Sequence, residues 1–387
     1  MLLQTLSFRN LLVLFCLSLS VFLFFQNCSP VQTQESGVTS TPLIQGQRKL
    51  GIHITQAQGE SFLSTYNHVL ADRFNHTNMH QIWGPGAFIP TSLPVTPFVT
   101  DAAGAAFNFS ILDTANAFYP TSNMPVMLTI GTIDTGNKFV PSDFSSVDFD
   151  DPALRTAFKT MLTQMMAHLT NTRLVSLQIG NEVDIYLGTD ASAWGKYKIF
   201  FDDVATHARS LRPGLLVSTT VTLNGAINPA QKVLVQNLMA TADIVSVTYY
   251  PLNADFTMKS PTVVSSDIAA LVSAYNSKPI YFQEIGFSSG SNLSSSEELQ
   301  RQFVANFFIA WDTYADHIPV VSWLNYTEWS TTTVDGYGVL YNLCPGTLCS
   351  NFKEFLQTLG LRQNSVGFSK PALTEMRSQM QARSWIF

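Results

Sequence analysis

Charge is scarce in this chain. Asp, Glu, Lys and Arg together make up only 12% of its 387 residues, with 21 Lys and Arg against 27 Asp and Glu. No long basic run occurs, and the formal net charge is −6. A polyphosphate partner requires a concentrated positive face, so nucleic acid is not expected as a partner. No Gly-rich phosphate loop follows the first strand-like segment, which removes the usual reason to expect a doubly wound nucleotide-binding sheet. The absence of a Gly-x-Ser-x-Gly elbow disfavours a serine hydrolase. Histidines and cysteines show no metal-ligand spacing, so neither a metal nor another cofactor is expected. Hydrophobic residues, by contrast, make up 46%, a composition that folds rather than stays disordered.

Cysteine is also sparse, at four residues. Arg9 precedes an unbroken apolar run, "LLVLFCLSLSVFLFF" at 11–25, which contains Cys16 and has signal-peptide length. Residues 1–27 therefore read as a signal peptide. The position of Cys28 in "QNCSP" resembles that of the lipid-modified cysteine of bacterial lipoproteins, although Gln26 and Asn27 replace the usual small residues. Cleavage with release and an uncleaved anchor are the alternatives. Residues 28–48, rich in Ser, Thr, Gln and Pro, read as a flexible tether. The chain is thus expected to be exported, as an envelope lipoprotein or a secreted protein. Cys344 and Cys349 flank a Pro-Gly turn in "NLCPGTLCS" and are expected to form a local disulfide.

From 49 to 387 one alternation repeats: a short apolar strand, a loop, a helix. Strands are expected within 49–56, 78–88, 124–134, 175–182, 215–223, 243–252, 278–287 and 318–330. Helices are expected near 60–74, 107–119, 151–169, 194–211, 229–242, 263–275, 295–314 and 351–360. Eight such units predict an α/β fold, a single-domain (β/α)₈ barrel, with an open doubly wound sheet as the alternative.

Active sites of such barrels lie at the C-terminal ends of the strands. Strand four ends at Asn181 and Glu182, strand six at Tyr249 and Tyr250, and strand seven at Gln283 and Glu284. Strand eight offers Trp323, strand two Trp83 and strand three Asp134. Two glutamates on facing strands suit glycosidic cleavage, which needs one protonated carboxyl and one ionised carboxyl. Their repulsion and partial burial would separate the two protonation states. An amide at Asn181 can donate to a sugar's 2-hydroxyl. Tyr249 or Tyr250 is placed to hydrogen-bond Glu284, with Tyr249 preferred on strand register. Trp83, Tyr186, Tyr250, Trp323 and Trp329 are candidate aromatic faces for a sugar, or core residues. Asp134 and Glu328 are alternatives to the two glutamates. His53 is read either as a cleft residue or as a hydrogen-bonded core histidine, and His76 and His80 as loop residues.

Four segments in this order resemble the clan A retaining glycoside hydrolases: "GNEV" at 180–183, "SVTYYP" at 246–251, "QEIGFS" at 283–288 and "VSWLNYTEW" at 321–329. The nearest flavour is that of endo-β-1,4-galactanases. The resemblance implies Glu182 as acid/base, Glu284 as nucleophile, Trp323 as a sugar-subsite floor and a β-linked glycan as substrate. Many clan members also place an arginine beside the nucleophile from an early strand. "GIHITQ" and "HQIWGP" offer none, leaving Gln81 or His53 as stand-ins. A retaining β-glycanase is therefore expected, as a monomer. A catalytically weak or inactive surface carbohydrate-binding lipoprotein and a transglycosylase are the alternatives. Long loops at 84–104 and 135–150 suggest a walled cleft for a polymer.

Overall fold

The computed structural model describes residues 48–84, 99–100, 106–107 and 109–385. The expected signal peptide, the tether and Cys28 lie outside the described residues, as does most of the 84–104 loop.

The chain forms the expected (β/α)₈ barrel. Its strands are β1 (Lys49–Ile52), β2 (Thr77–Ile82), β3 (Val126–Asp134), β4 (Leu174–Asn181), β5, β6 (Val245–Tyr249), β7 (Ile280–Ile285) and β8 (Val320–Trp323). Strand β5 is split at Thr219: Val217–Ser218 pairs with β4, and Thr220–Thr222 pairs with β6. All other neighbours pair in parallel in sequence order, and β1 pairs with β8. Nine strand segments thereby make a nearly closed ring.

Around it lie α1 (Phe62–Ala71), α2 (Phe109–Phe118), α3 (Pro152–His168), α4 (Val183–Leu187), α5 (Ala191–Leu211), α6 (Leu223–Ile227), α7 (Lys232–Met239), α8 (Val264–Ala274), α9 (Glu297–Thr313), α10 (Thr331–Leu340), α11 (Cys349–Gln357) and α12 (Pro371–Ala382). The predicted helix starts have physical causes. The Asp151 side chain accepts from Ala153 and Leu154 N–H, with Pro152 at the first helical position, and Ser296 accepts from Leu299 N–H. Among the described residues no helix is long and apolar enough to cross a membrane.

One expectation needs correction. The segment read as the last barrel helix, 351–360, belongs to an excursion between β8 and α12 that also contains α10 and the Cys344–Cys349 disulfide. The helix that closes the barrel is α12, which packs against α9.

The barrel interior is layered. Met127, Val175, Ile244, Tyr281 and Val320 form an apolar plug near the N-terminal ends of the strands. Above it the filling is polar and hydrogen-bonded across the barrel. The Ser322 hydroxyl bridges His76 Nε2 (2.6 Å) and Asn78 Oδ1 (2.8 Å). Asn78 Nδ2 donates to the Gln283 carbonyl (2.6 Å), and Gln283 Nε2 donates to Thr129 Oγ1 (2.7 Å). Thr220 donates to Gln283 Oε1. His76, in the loop just before β2 as expected, is fully buried filling, and burial pushes its imidazole down to about 3, leaving it neutral. His80, expected in a loop, lies instead on β2.

Gly51 makes room for that imidazole. A Cβ there would stand 2.2 Å from His76 Nε2. Gly51→Ala should therefore destabilise the fold by about 1–3 kcal/mol through overpacking. The expected readout is a lower urea midpoint at unchanged slope; an unaltered midpoint would contradict this packing.

Candidate active site

Strand β4 leaves the barrel through two left-handed residues. Gly180 has φ +85°, and a Cβ on it would stand 2.3 Å from the Tyr197 hydroxyl. Glu182 has φ +47° and ψ +42°, a conformation costly for a non-glycine residue and concentrated at functional sites. Thr135, next to it at the end of β3, is also left-handed at φ +52°, and its N–H donates to the Asn181 carbonyl. The Glu182 carboxyl is held by two hydroxyls: Thr135 Oγ1 donates to Oε2 (2.8 Å) and Thr248 Oγ1 to Oε1 (2.7 Å).

Thr248 links this carboxyl to the second one. It is the register partner of Glu284 across the β6–β7 pair, where adjacent strands run about 4.8 Å apart. Glu284 Oε2 accepts from the Tyr250 hydroxyl (2.7 Å). Strand alternation then assigns the two tyrosines. Thr248 points into the barrel mouth, so Tyr250 does also, whereas Tyr249 points outward and donates to Asp267 Oδ2 on α8 (2.8 Å). The register preference for Tyr249 as partner of Glu284 is thus corrected to Tyr250.

The same alternation removes two tryptophans. Ser322 faces inward, so Trp323 faces the helices, fully buried against Phe303 of α9. Trp83 packs edge-on against Phe158 of α3, with ring centroids 4.9 Å apart. Neither lines the cleft. Trp329 does, flanked by His53 at 6.2 Å and Tyr337 at 5.0 Å, and Tyr186 lies at the rim, 40% exposed. His53 lines the cleft too, but Asn325 engages its Nδ1 (2.9 Å), and burial pushes it down to about 4. Gln81 donates to the His80 carbonyl. Neither His53 nor Gln81 is bonded to Glu284. Glu328 is paired with the buried Lys370 (3.0 Å) at the cleft edge.

Sequence reasoning missed Thr135 and Thr248, and also Tyr337 and Tyr341 from the β8 excursion. Tyr337 and Tyr341 stack at 6.0 Å with an interplanar angle of 9°. Tyr341 donates to Asp134 Oδ2 (2.7 Å), and Asn137 Nδ2 donates to the Leu340 carbonyl (2.8 Å), so the excursion is tied to the β3 end across the mouth. Asn181 Nδ2 donates to Asp134 Oδ1 (2.9 Å). The resulting cleft has a volume of about 2170 Å³, against roughly 300–1,000 Å³ for small-molecule pockets.

Among the described residues no arginine or lysine pairs with Glu182, Glu284 or Asp134. Burial, and next the Glu182 charge, push Glu284 up to about 8. Burial also raises Glu182, with the Thr248 and Thr135 hydroxyls offsetting part of the effect. Two buried carboxyls in this relation titrate as a coupled pair. Behind them Asp184 is raised to about 7 by burial, against donation from the Thr222 N–H and hydroxyl.

No protein-family model matches this sequence, and no curated protein matches it. Solved structures do. GH5_18 from Streptomyces cattleya, in complex with GlcNAc, is similar at a TM-score of 0.64 and 14% identity, over 87% of this chain and 80% of that one. An exo-β-1,4-mannosidase from an Opitutaceae bacterium is similar at 0.59 and 16% identity, over 89% and 62%. For a fungal β-1,4-galactanase the values are 0.58 and 12%, over 86% and 99%. These likenesses establish the barrel fold.

The raised carboxyls carry a stability signature. Ordinary values are 4.5 for Glu284 and 3.8 for Asp184. Between those values and their folded ones the native chain keeps protons that the unfolded chain has released, so stability falls as pH rises through that window. Glu284→Gln removes its share, and urea unfolding from about pH 5.5 to about pH 8.5 should show a shallower fall than wild type. Parallel curves would contradict the raised Glu284.

Proposed function

We propose that this protein is a retaining glycoside hydrolase acting on β-linked glycans, with Glu182 and Glu284 as its two catalytic carboxyls. One observation carries the reading: the ends of β4 and β7 deliver two coupled, hydroxyl-held carboxyls into a single large cleft, linked through Thr248, which donates to Glu182 and is the register partner of Glu284. Double displacement asks for carboxyls about 5–5.5 Å apart.

The hydrogen bonds support a division of roles. A phenol is a strong donor and a poor acceptor, and burial next to Glu284 pushes the Tyr250 phenol well above its usual range, so it stays protonated. Its donation favours the anion at Glu284 against the burial and the Glu182 charge that raise that carboxyl to about 8, so the double displacement requires the proton to sit on Glu182 once substrate is bound. Threonine hydroxyls donate or accept with equal ease, so Thr135 and Thr248 serve Glu182 in either state. In the reaction Glu182 gives its proton to the glycosidic oxygen as that bond breaks. Glu284 attacks the anomeric carbon and forms a glycosyl ester. Glu182 then takes a proton from water, whose oxygen displaces Glu284 and returns the sugar with its original configuration. Trp329, with Tyr337 and Tyr341 beside it, offers aromatic faces to the C–H patches of a sugar.

The named activities of the structural neighbours put β-mannosides and β-1,4-galactan first among substrates to try. The apolar run at 11–25 and Cys28 support export and a lipid tether.

The test is sugar release from galactan, mannan, glucan and xylan, and from β-mannosides. Wild type should release sugar from at least one, and Glu284→Ala from none. Glu182→Ala should lose most, by about 10²–10⁴-fold, on substrates with poor leaving groups, and least on activated aryl glycosides. Equal loss on both kinds would remove Glu182 from the acid role. Binding of a glycan without release by the wild type would favour a carbohydrate-binding protein instead.

A further inference from the structure

Asp134 is a third carboxyl in the cleft, and nothing in the two-glutamate chemistry uses it. It ends β3 and is only 3% exposed. Both its oxygens are engaged, Oδ1 by Asn181 Nδ2 at 2.9 Å and Oδ2 by the Tyr341 hydroxyl at 2.7 Å. His80 Nε2 stands 4.0 Å from it, and Glu182, Glu284 and Tyr337 are the other titratable groups that feel its charge.

A carboxylate accepts hydrogen bonds and donates none. Asn181 must therefore turn its NH₂ toward Asp134, which leaves its carbonyl oxygen facing away. That oxygen is buried and has no partner among the described residues, and Asn181, itself only 5% exposed, lines the cleft. Buried acceptors are rarely left unmatched. A substrate group that donates would complete it; one that only accepts would meet a second lone pair.

We propose that Asp134, clamped by Tyr341 from the β8 excursion, is a positioning residue that fixes which end of the Asn181 amide faces the substrate. The cleft thereby selects glycans carrying a hydroxyl or amine donor beside the bond to be cleaved. The inference rests on the glycoside hydrolase reading for its substrate half only. The amide orientation stands independently of turnover.

Two measurements separate these halves. The first is NMR of the Asn181 side-chain amide in the full chain, labelled at Asn, with no sugar present. Wild type should show one amide proton shifted downfield by the carboxylate, lost in Asp134→Asn and displaced in Tyr341→Phe, which keeps the charge and removes only the clamp. An Asn181 signal unmoved in both variants would overturn the proposal. Should Asp134→Asn fail to fold, Tyr341→Phe alone decides.

The second uses the glycan that the wild type cleaves, beside an analogue with the adjacent hydroxyl replaced by fluorine, which accepts but does not donate. Wild type should lose about 100-fold or more in kcat/KM on the analogue. In Asp134→Asn the amide is free to turn, so the penalty should shrink to less than about 10-fold while the parent substrate loses about 10–100-fold, mainly in kcat. Equal penalties in the two proteins would overturn the selection. A merely structural Asp134 would lower both substrates alike. If no glycan is cleaved, the amide signal still settles the orientation, and the failure falls on the proposed function.

Discussion

Buried carboxyl groups with no arginine or lysine paired to them among the described residues must be held by neutral donors. That constraint organises the mouth of this barrel. Glu182 has two threonine hydroxyls, Glu284 a tyrosine, and Asp134 an asparagine amide and a tyrosine. Each donor satisfies an acceptor whose burial would otherwise be costly, yet none carries a full positive charge. The two glutamates are left raised and coupled, as the proposed acid chemistry needs. A lysine or arginine in the same place would lower both of them.

The rest of the fold serves this arrangement. Polar filling beneath the mouth ties β2, β3, β5, β7 and β8 together through His76, Ser322, Asn78, Gln283, Thr129 and Thr220. Because Gln283 belongs to that network, its neighbour Glu284 is carried on an anchored strand end. The β8 excursion, stapled by Cys344–Cys349, delivers Tyr341 to the opposite side of the cleft. Carboxyl positions are thus set by rigid elements, with one clamp from a loop.

Much of this was legible in the sequence. Eight strand–helix units announced the barrel, and the polar ends of strands four and seven marked Glu182 and Glu284 because such groups stand out against apolar strands. What failed was parity. In "SVTYYP" and "VSWLNY" a shift of one residue exchanges cleft for helix interface, and it was the hydrogen bonds of Thr248 and Ser322 that showed which side Tyr250 and Trp323 take. Period-two counting from those small polar residues was an available signal. The β8 excursion was hidden for another reason. Helix α11 carries a regular apolar face (Phe352, Phe355, Leu356) and passed for the closing helix, while Pro371 with Leu373, Met376 and Met380 marked the true one. Tyr341 could not be placed at all, since its partner Asp134 lies 207 positions away.

The most direct measurement is covalent trapping. An activated 2-deoxy-2-fluoro β-glycoside of the sugar that the protein releases should form an ester with the attacking carboxyl and hydrolyse slowly enough for peptide mapping. An adduct on Glu284, absent in Glu284→Gln, is the result expected of a double displacement from the end of β7. An adduct on Glu182, Asp134 or any other residue, or a wild type that turns over its glycan with inverted configuration, would contradict it.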